Sequence, residues 1–108
     1  MIDDPGVMTR LLKQMEAHLP IPAQVTPELR QMMRKQKVLI PPSRRVQIEH
    51  VWYAGDAGGI MCGLAFPGAS DNAVVVSLTH LRIAATHPLA DAIRDYQRTR
   101  VKKLSQSA

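Results

Sequence analysis

Apolar and polar positions alternate through the middle of the chain. From Val46, the residues Val46, Ile48, His50 and Trp52 fall on one side, and Gln47, Glu49, Val51 and Tyr53 on the other, as successive side chains of a strand do. Gly55, Asp56, Gly58 and Gly59 follow as turn formers, and a second alternating arm sets Ile60, Cys62, Leu64 and Phe66 against Met61, Gly63 and Ala65. Two β-rich arms around a glycine-rich turn predict a hairpin. Residues Pro67 to Asn72 have loop composition, and Ala73 to Ile83 is the most β-branched run of the chain. It predicts one long third strand. Apolar residues on both faces at Val74, Val75 and Val76 place that end of it in the centre of the sheet.

On either side the period changes from two to nearly four. Asp4-Pro5 opens a first helix, and Met8, Leu11, Leu12, Met15 and Leu19 make its apolar stripe up to Pro20. Leu19 to Ala23, with two prolines, reads as a stiff link. Thr26-Pro27-Glu28 starts a shorter basic helix with Leu29, Met32 and Met33 inward. The last helix is predicted from His87 to Leu104, capped by Thr86 or His87, with Leu89, Ala92, Ile93, Tyr96 and Leu104 as its stripe. Arg100 falls inside that stripe, where it either snorkels out or pairs with a buried acid.

The expected architecture is α+β. A helical arm spans residues 1–45, a three-stranded antiparallel meander 46–83, and a C-terminal helix 87–104 packs on one face, within a single domain of 108 residues. No apolar run approaches the ~20 residues of a membrane helix. The opening Met-Ile-Asp-Asp-Pro carries no signal core. A lone cysteine fits a reducing compartment, so the expected location is the cytoplasm, away from membranes.

Charge adds a second pattern. The net charge is +5, and its excess sits in two segments. Residues 30–45 hold Arg30, Arg34, Lys35, Lys37, Arg44 and Arg45 with no acid. Residues 94–103 hold Arg94, Arg98, Arg100, Lys102 and Lys103 against Asp95 alone. Such clusters are the footprint of a polyanion site, and Arg30, Arg34, Lys35, Lys37, Arg44, Arg45, Arg94, Arg98 and Lys102 are the candidate contacts to nucleic acid. The competing reading is a solvated basic face, because Trp52 and Tyr53 point to opposite sides and offer no stacking platform.

Candidate chemistry is sparse. Cys62 with His50 or His80 and Asp56 or Asp71 has the residue types of a thiol nucleophile, its base and its orienter. Alternation instead places Cys62 among Ile60, Leu64 and Phe66, where a thiol is a small buried hydrophobe. His50, Cys62, His80 and His87 have the residue types of metal ligands but lack the close pairing of zinc motifs, so neither metal nor cofactor is expected. Gly55 to Gly59 runs from strand to strand, unlike a phosphate loop, which runs into a helix. The leading expectation is a small non-enzymatic interaction module that forms a homodimer through apolar surface left over by a three-stranded sheet. Binding of nucleic acid or another polyanion is the alternative, and an enzyme built on Cys62 and a histidine is the third reading.

Overall fold

The computed structural model describes residues 3–35, 45–56, 58–66 and 74–107. Its elements are α1 (Pro5–His18), β1 (Ile21–Val25), α2 (Pro27–Lys35), β2 (Arg45–Tyr53), β3 (Ile60–Ala65), β4 (Val74–Ser77), a 3-10 turn (Leu78–His80), β5 (Leu81–Arg82) and α3 (Ala90–Ser107). The class is α+β, but the sheet has five antiparallel strands in the order β4-β3-β2-β1-β5, not three.

Both extra strands come from segments that read otherwise. The stiff link becomes β1, with Ile21, Ala23 and Val25 buried and Pro22 and Gln24 exposed. It follows a cis Leu19–Pro20 peptide. Pro22 is tolerated between two neighbours because β5 pairs only with Gln24 and Val25, so no ladder bond is demanded on that side at residue 22. The expected long third strand breaks at Ser77. The Ser77 hydroxyl donates to the Gly58 carbonyl at 2.9 Å, and Gln97 Nε2 of α3 donates to the carbonyls of Leu78 at 2.7 Å and Leu81 at 2.6 Å. Those bonds hold the turn that buries both Leu78 and Leu81, three residues apart, which a continuous strand would turn to opposite faces.

The break also shapes the sheet. β4 and β5 lie at opposite edges, about 19 Å apart in a flat five-stranded sheet with the usual strand spacing. The four steps from Ser77 to Leu81, at about 2 Å each in a 3-10 turn, cover about 8 Å. The sheet therefore curls until its edges are bridged. A bulge between Ile48 and His50 assists, as bulges bend strands.

That bulge also corrects the expected faces of β2. Before it Val46 and Ile48 point inward; after it Val51 and Tyr53 do, while Glu49, His50 and Trp52 are outside. The extra residue shifts the two-residue period by one, so Trp52 and His50 do not share a face with Val46. Val74 to Val76 likewise belong to an edge strand, with Val75 43 % exposed, and not to a covered centre.

The helices fill the inner side of the curl. Asp4 caps α1 by accepting the Val7 N–H at 3.0 Å, and Leu11 and Met15 are buried against the sheet. Thr26 caps α2 through the Leu29 N–H at 3.3 Å, and Leu29 and Met33 turn inward. α3 begins three residues later than expected. Its buried side is Leu89, Ala90, Ile93, Tyr96 and Arg100, while Ala92 and Leu104 are exposed. Helix 1 thus lies on its own sheet, so its stripe is not the surplus surface from which a dimer was expected.

Candidate functional site

Cys62 lies on the inward face of β3 with no exposed surface. Loss of solvent pushes its thiol up to about 12, so it stays protonated at neutral pH. The histidines do not join it. His50 is exposed on the outer face, opposite Gly63 rather than Cys62, and His80 is exposed in the 3-10 turn. His87 accepts the Leu89 N–H through Nδ1 at 3.0 Å, capping the start of α3, and its ring meets that of His18 edge-on at 5.8 Å. Among the described residues no three His, Cys, Asp or Glu side chains converge in a group able to hold a metal.

The most enclosed polar cluster joins three remote parts of the chain. Asp3 and Arg100 are an ion pair at 3.0 Å with side chains 3 % and 2 % exposed, resolving the alternatives for Arg100 in favour of a buried acid. Tyr96 Oη donates to the same Asp3 oxygen at 2.9 Å and accepts the Ile60 N–H at 3.0 Å. Arg100 also donates to the Asp56 carbonyl at 2.6 Å. The cluster ties the N-terminal residues and α3 to the β2–β3 turn. Gly59, at φ +66°, permits it: a Cβ there would meet Tyr96 Oη and stand 2.8 Å from the Arg100 guanidinium carbon. Burial, and then its hydrogen bond to Asp3, hold the Tyr96 hydroxyl well above its ordinary pKa, against the opposing effect of the Ile60 N–H. Tyr53 is raised too, by burial first and then by the charges of Asp3 and Asp56. A cavity of about 310 Å³ between α1 and α3 reaches this cluster. Asp3, Tyr96 and Arg100 satisfy one another and act as a clamp, while the buried Tyr53 hydroxyl beside them makes no hydrogen bond among the described residues.

The outer face of the sheet divides into two chemically different halves. On β2, β3 and β4, Trp52 and His50 lean over Gly63, whose hypothetical Cβ would lie 3.7 Å from the indole and 3.3 Å from His50 Cβ. Met61 stands opposite Trp52 and Val75 opposite Gly63. Trp52 is 40 % exposed, and among the described residues no lysine or arginine lies in this half. On β5, β1 and β2, Gln24 is paired in register with both Arg45 and Arg82. Both arginines line a groove of about 900 Å³ with Gln24, Gln47 and Phe66.

The predicted nucleic-acid contacts fall on several elements. Arg30 and Arg34 line a depression on α2, and Lys35 is exposed at its end. Arg94 shares a depression with Arg82 and Gln97, while Arg98 and Lys102 are exposed on α3. Arg45 lines a groove that Arg82 also lines; Lys37 and Arg44 lie outside the described residues, as does Asp71. Sequence reasoning missed Arg82 because the linear segments on either side exclude it. Its place beside Arg45 depends on β1, whose strand character the prolines obscured. No helix among the described residues is long and apolar enough to cross a membrane. Comparison with protein-family models, with curated proteins and with solved structures finds no match to this chain.

Proposed function

We propose that the protein is a small non-enzymatic interaction module that associates with a second copy through the Trp52 half of its outer sheet face. The observation that carries this reading is the exposure of Trp52, at 40 %, on a face where no described helix lies over it. Large aromatic surface left in water costs free energy, and contiguous apolar patches on otherwise polar surfaces mark interfaces. Val75, 43 % exposed on the edge strand β4, extends the patch to the last strand of the sheet. Charge favours a self-complementary partner here and not elsewhere. A chain of net charge +5 repels its copy, and among the described residues this half of the sheet carries no lysine or arginine, unlike the half bearing Arg45 and Arg82. A twofold contact centred on Trp52 buries the same apolar surface of Trp52, Met61 and Val75 on both subunits, with the exposed Glu49 at its margin.

Trp52 is the single tryptophan, so its emission reports the contact directly. Light scattering at micromolar concentration is expected to give about twice 12.0 kDa, and dilution to red-shift the Trp52 emission. Trp52→Ser gives a folded monomer, since the side chain is not part of the core. A wild-type mass of 12.0 kDa independent of concentration refutes the reading, as does an unchanged dimer in the Trp52→Ser variant.

A further inference from the structure

Six large apolar side chains are exposed among the described residues: Val7 on α1, Met32 on α2, and Trp52, Val75, Val101 and Leu104. The last four lie about one corner of the molecule. Trp52 on β2 is paired in register with Met61 on β3, and Met61 with Ser77 on β4, so these three form one row across the outer face. Val75, two residues before Ser77, stands on the same side of β4. Ser77 also lines a hollow of about 430 Å³, which Val101 and Leu104 of α3 line together with Gly58 and His80. A Cβ on Gly58 would stand 2.8 Å from Met61 Sδ, so the row and the hollow adjoin at Gly58 as well as at Ser77. From Val101 to Gln106 no residue of α3 is buried in its own chain, although Val101 and Leu104, three apart, share one side of the helix.

Resting on the reading of Trp52 as the contact with a second copy, we infer that this contact continues past Ser77 onto the last turns of α3, with Val101 and Leu104 buried against the copy. The area of the Trp52 patch calls for such an extension. A stable interface takes about 800 Å² from each partner, whereas two-fifths of a tryptophan side chain supplies on the order of 100 Å². A round patch of about 800 Å² has a radius of about 16 Å. Ser77 lies two strand spacings from Trp52, about 10 Å, so a patch of that size crosses it and enters the hollow. In the other direction Arg45 is about 20 Å from Trp52 along β2, outside the patch. Charge favours the same direction. Arg100, the one guanidinium among the described residues lining the hollow, is buried and paired with Asp3, and no lysine or acid joins it there. With 3.6 residues per turn, Arg98 and Lys102 point about 90° and 130° away from the midline of Val101 and Leu104, so they border the apolar side without interrupting it.

Amide resonances of the full chain are followed as it is diluted from millimolar to micromolar concentration. Ser77, Val101 and Leu104 are expected to shift together with the Trp52 indole, and Val7 and Met32 to stay in place. Val101→Gln and Leu104→Gln put a good helix former at exposed positions, so the fold is retained, which far-ultraviolet circular dichroism checks. Each should raise the dimer dissociation constant by about tenfold or more, since a twofold contact loses the side chain twice. Met32→Gln, on α2, should leave it unchanged. A chain that stays at 12.0 kDa at every concentration removes the dimer and this extension together. A dimer that Trp52→Ser abolishes, but that both glutamine variants keep at wild-type strength, overturns the extension alone. An equal loss in Met32→Gln overturns it too, as do dilution shifts at Trp52 that do not reach Val101 and Leu104.

Discussion

Replacing Arg100 by methionine tests whether the buried cluster holds the fold together. The substitution preserves an unbranched apolar stem and removes the guanidinium, leaving the Asp3 carboxylate, 3 % exposed, without its countercharge. It also leaves the Asp56 carbonyl without its 2.6 Å donor. Removing one partner of a buried pair costs about 3–5 kcal/mol, because the remaining charge is desolvated and unpaired. A small domain is stable by only about 5–15 kcal/mol, so the loss is a large fraction of the whole. Asp3→Ala is expected to cost about 2–4 kcal/mol, less because Arg100 keeps the Asp56 carbonyl. The double variant then loses less than the two single changes together, by about 2 kcal/mol or more, since the second removal eliminates the orphaned charge. Denaturant unfolding followed by far-ultraviolet circular dichroism at one fixed protein concentration measures the cycle, because self-association would otherwise shift the midpoint. Arg98→Met, exposed two residues away, is the control and should change stability by about 0.5 kcal/mol or less. A cost below about 1 kcal/mol for Arg100→Met, or strict additivity in the cycle, refutes the clamp.

Two further tests use the same region. Gly55 and Gly59 both have positive φ, at +78° and +66°, but a Cβ at Gly55 meets nothing within 4 Å, whereas one at Gly59 strikes the Tyr96 and Arg100 side chains. Gly55→Ala should therefore cost about 1–2 kcal/mol from conformation alone, and Gly59→Ala about 3 kcal/mol or more; equal costs on denaturant unfolding would contradict the close packing. Alkali provides the second test, because Cys62 and Tyr96 both hold their protons more tightly when folded than their ordinary values of 9.0 and 10.0. Stability is then flat below pH 9 and falls above it, by about 1.4 kcal/mol per pH unit for each group that ionises only in the unfolded chain. A Cys62→Ala variant should keep a flat profile up to about pH 10, and an unaltered onset would show that the thiol is not the first group involved.

The sequence by itself determined what depends on near neighbours along the chain. The three helices, their Asp4 and Thr26 caps, the β2–β3 hairpin and the inward face of β3 were all legible from periodicity and turn chemistry. The burial of Cys62 followed from the same alternation. Features that depend on partners distant in the chain were not legible. Prolines at 20 and 22 argued against a strand, and β1 forms because β2 and the short β5 supply its ladders without requiring the missing N–H. The break at Ser77 is enforced by Gly58, 19 residues back, and by Gln97, 19 residues ahead of Leu78. One bulged residue in β2 reversed the faces of His50 and Trp52, since a period of two has no tolerance for an insertion. Arg100 betrayed a need for a partner, but Asp3, 97 residues away, was chosen by the packing of α3 against the start of the chain. The arginine row was decided the same way: Arg45 and Arg82 are 37 positions apart and become neighbours only because β1 lies between their strands. Local propensity specifies elements; which of them meet, and so which side chains share a surface, is set by the free energy of closing the curled sheet around its core.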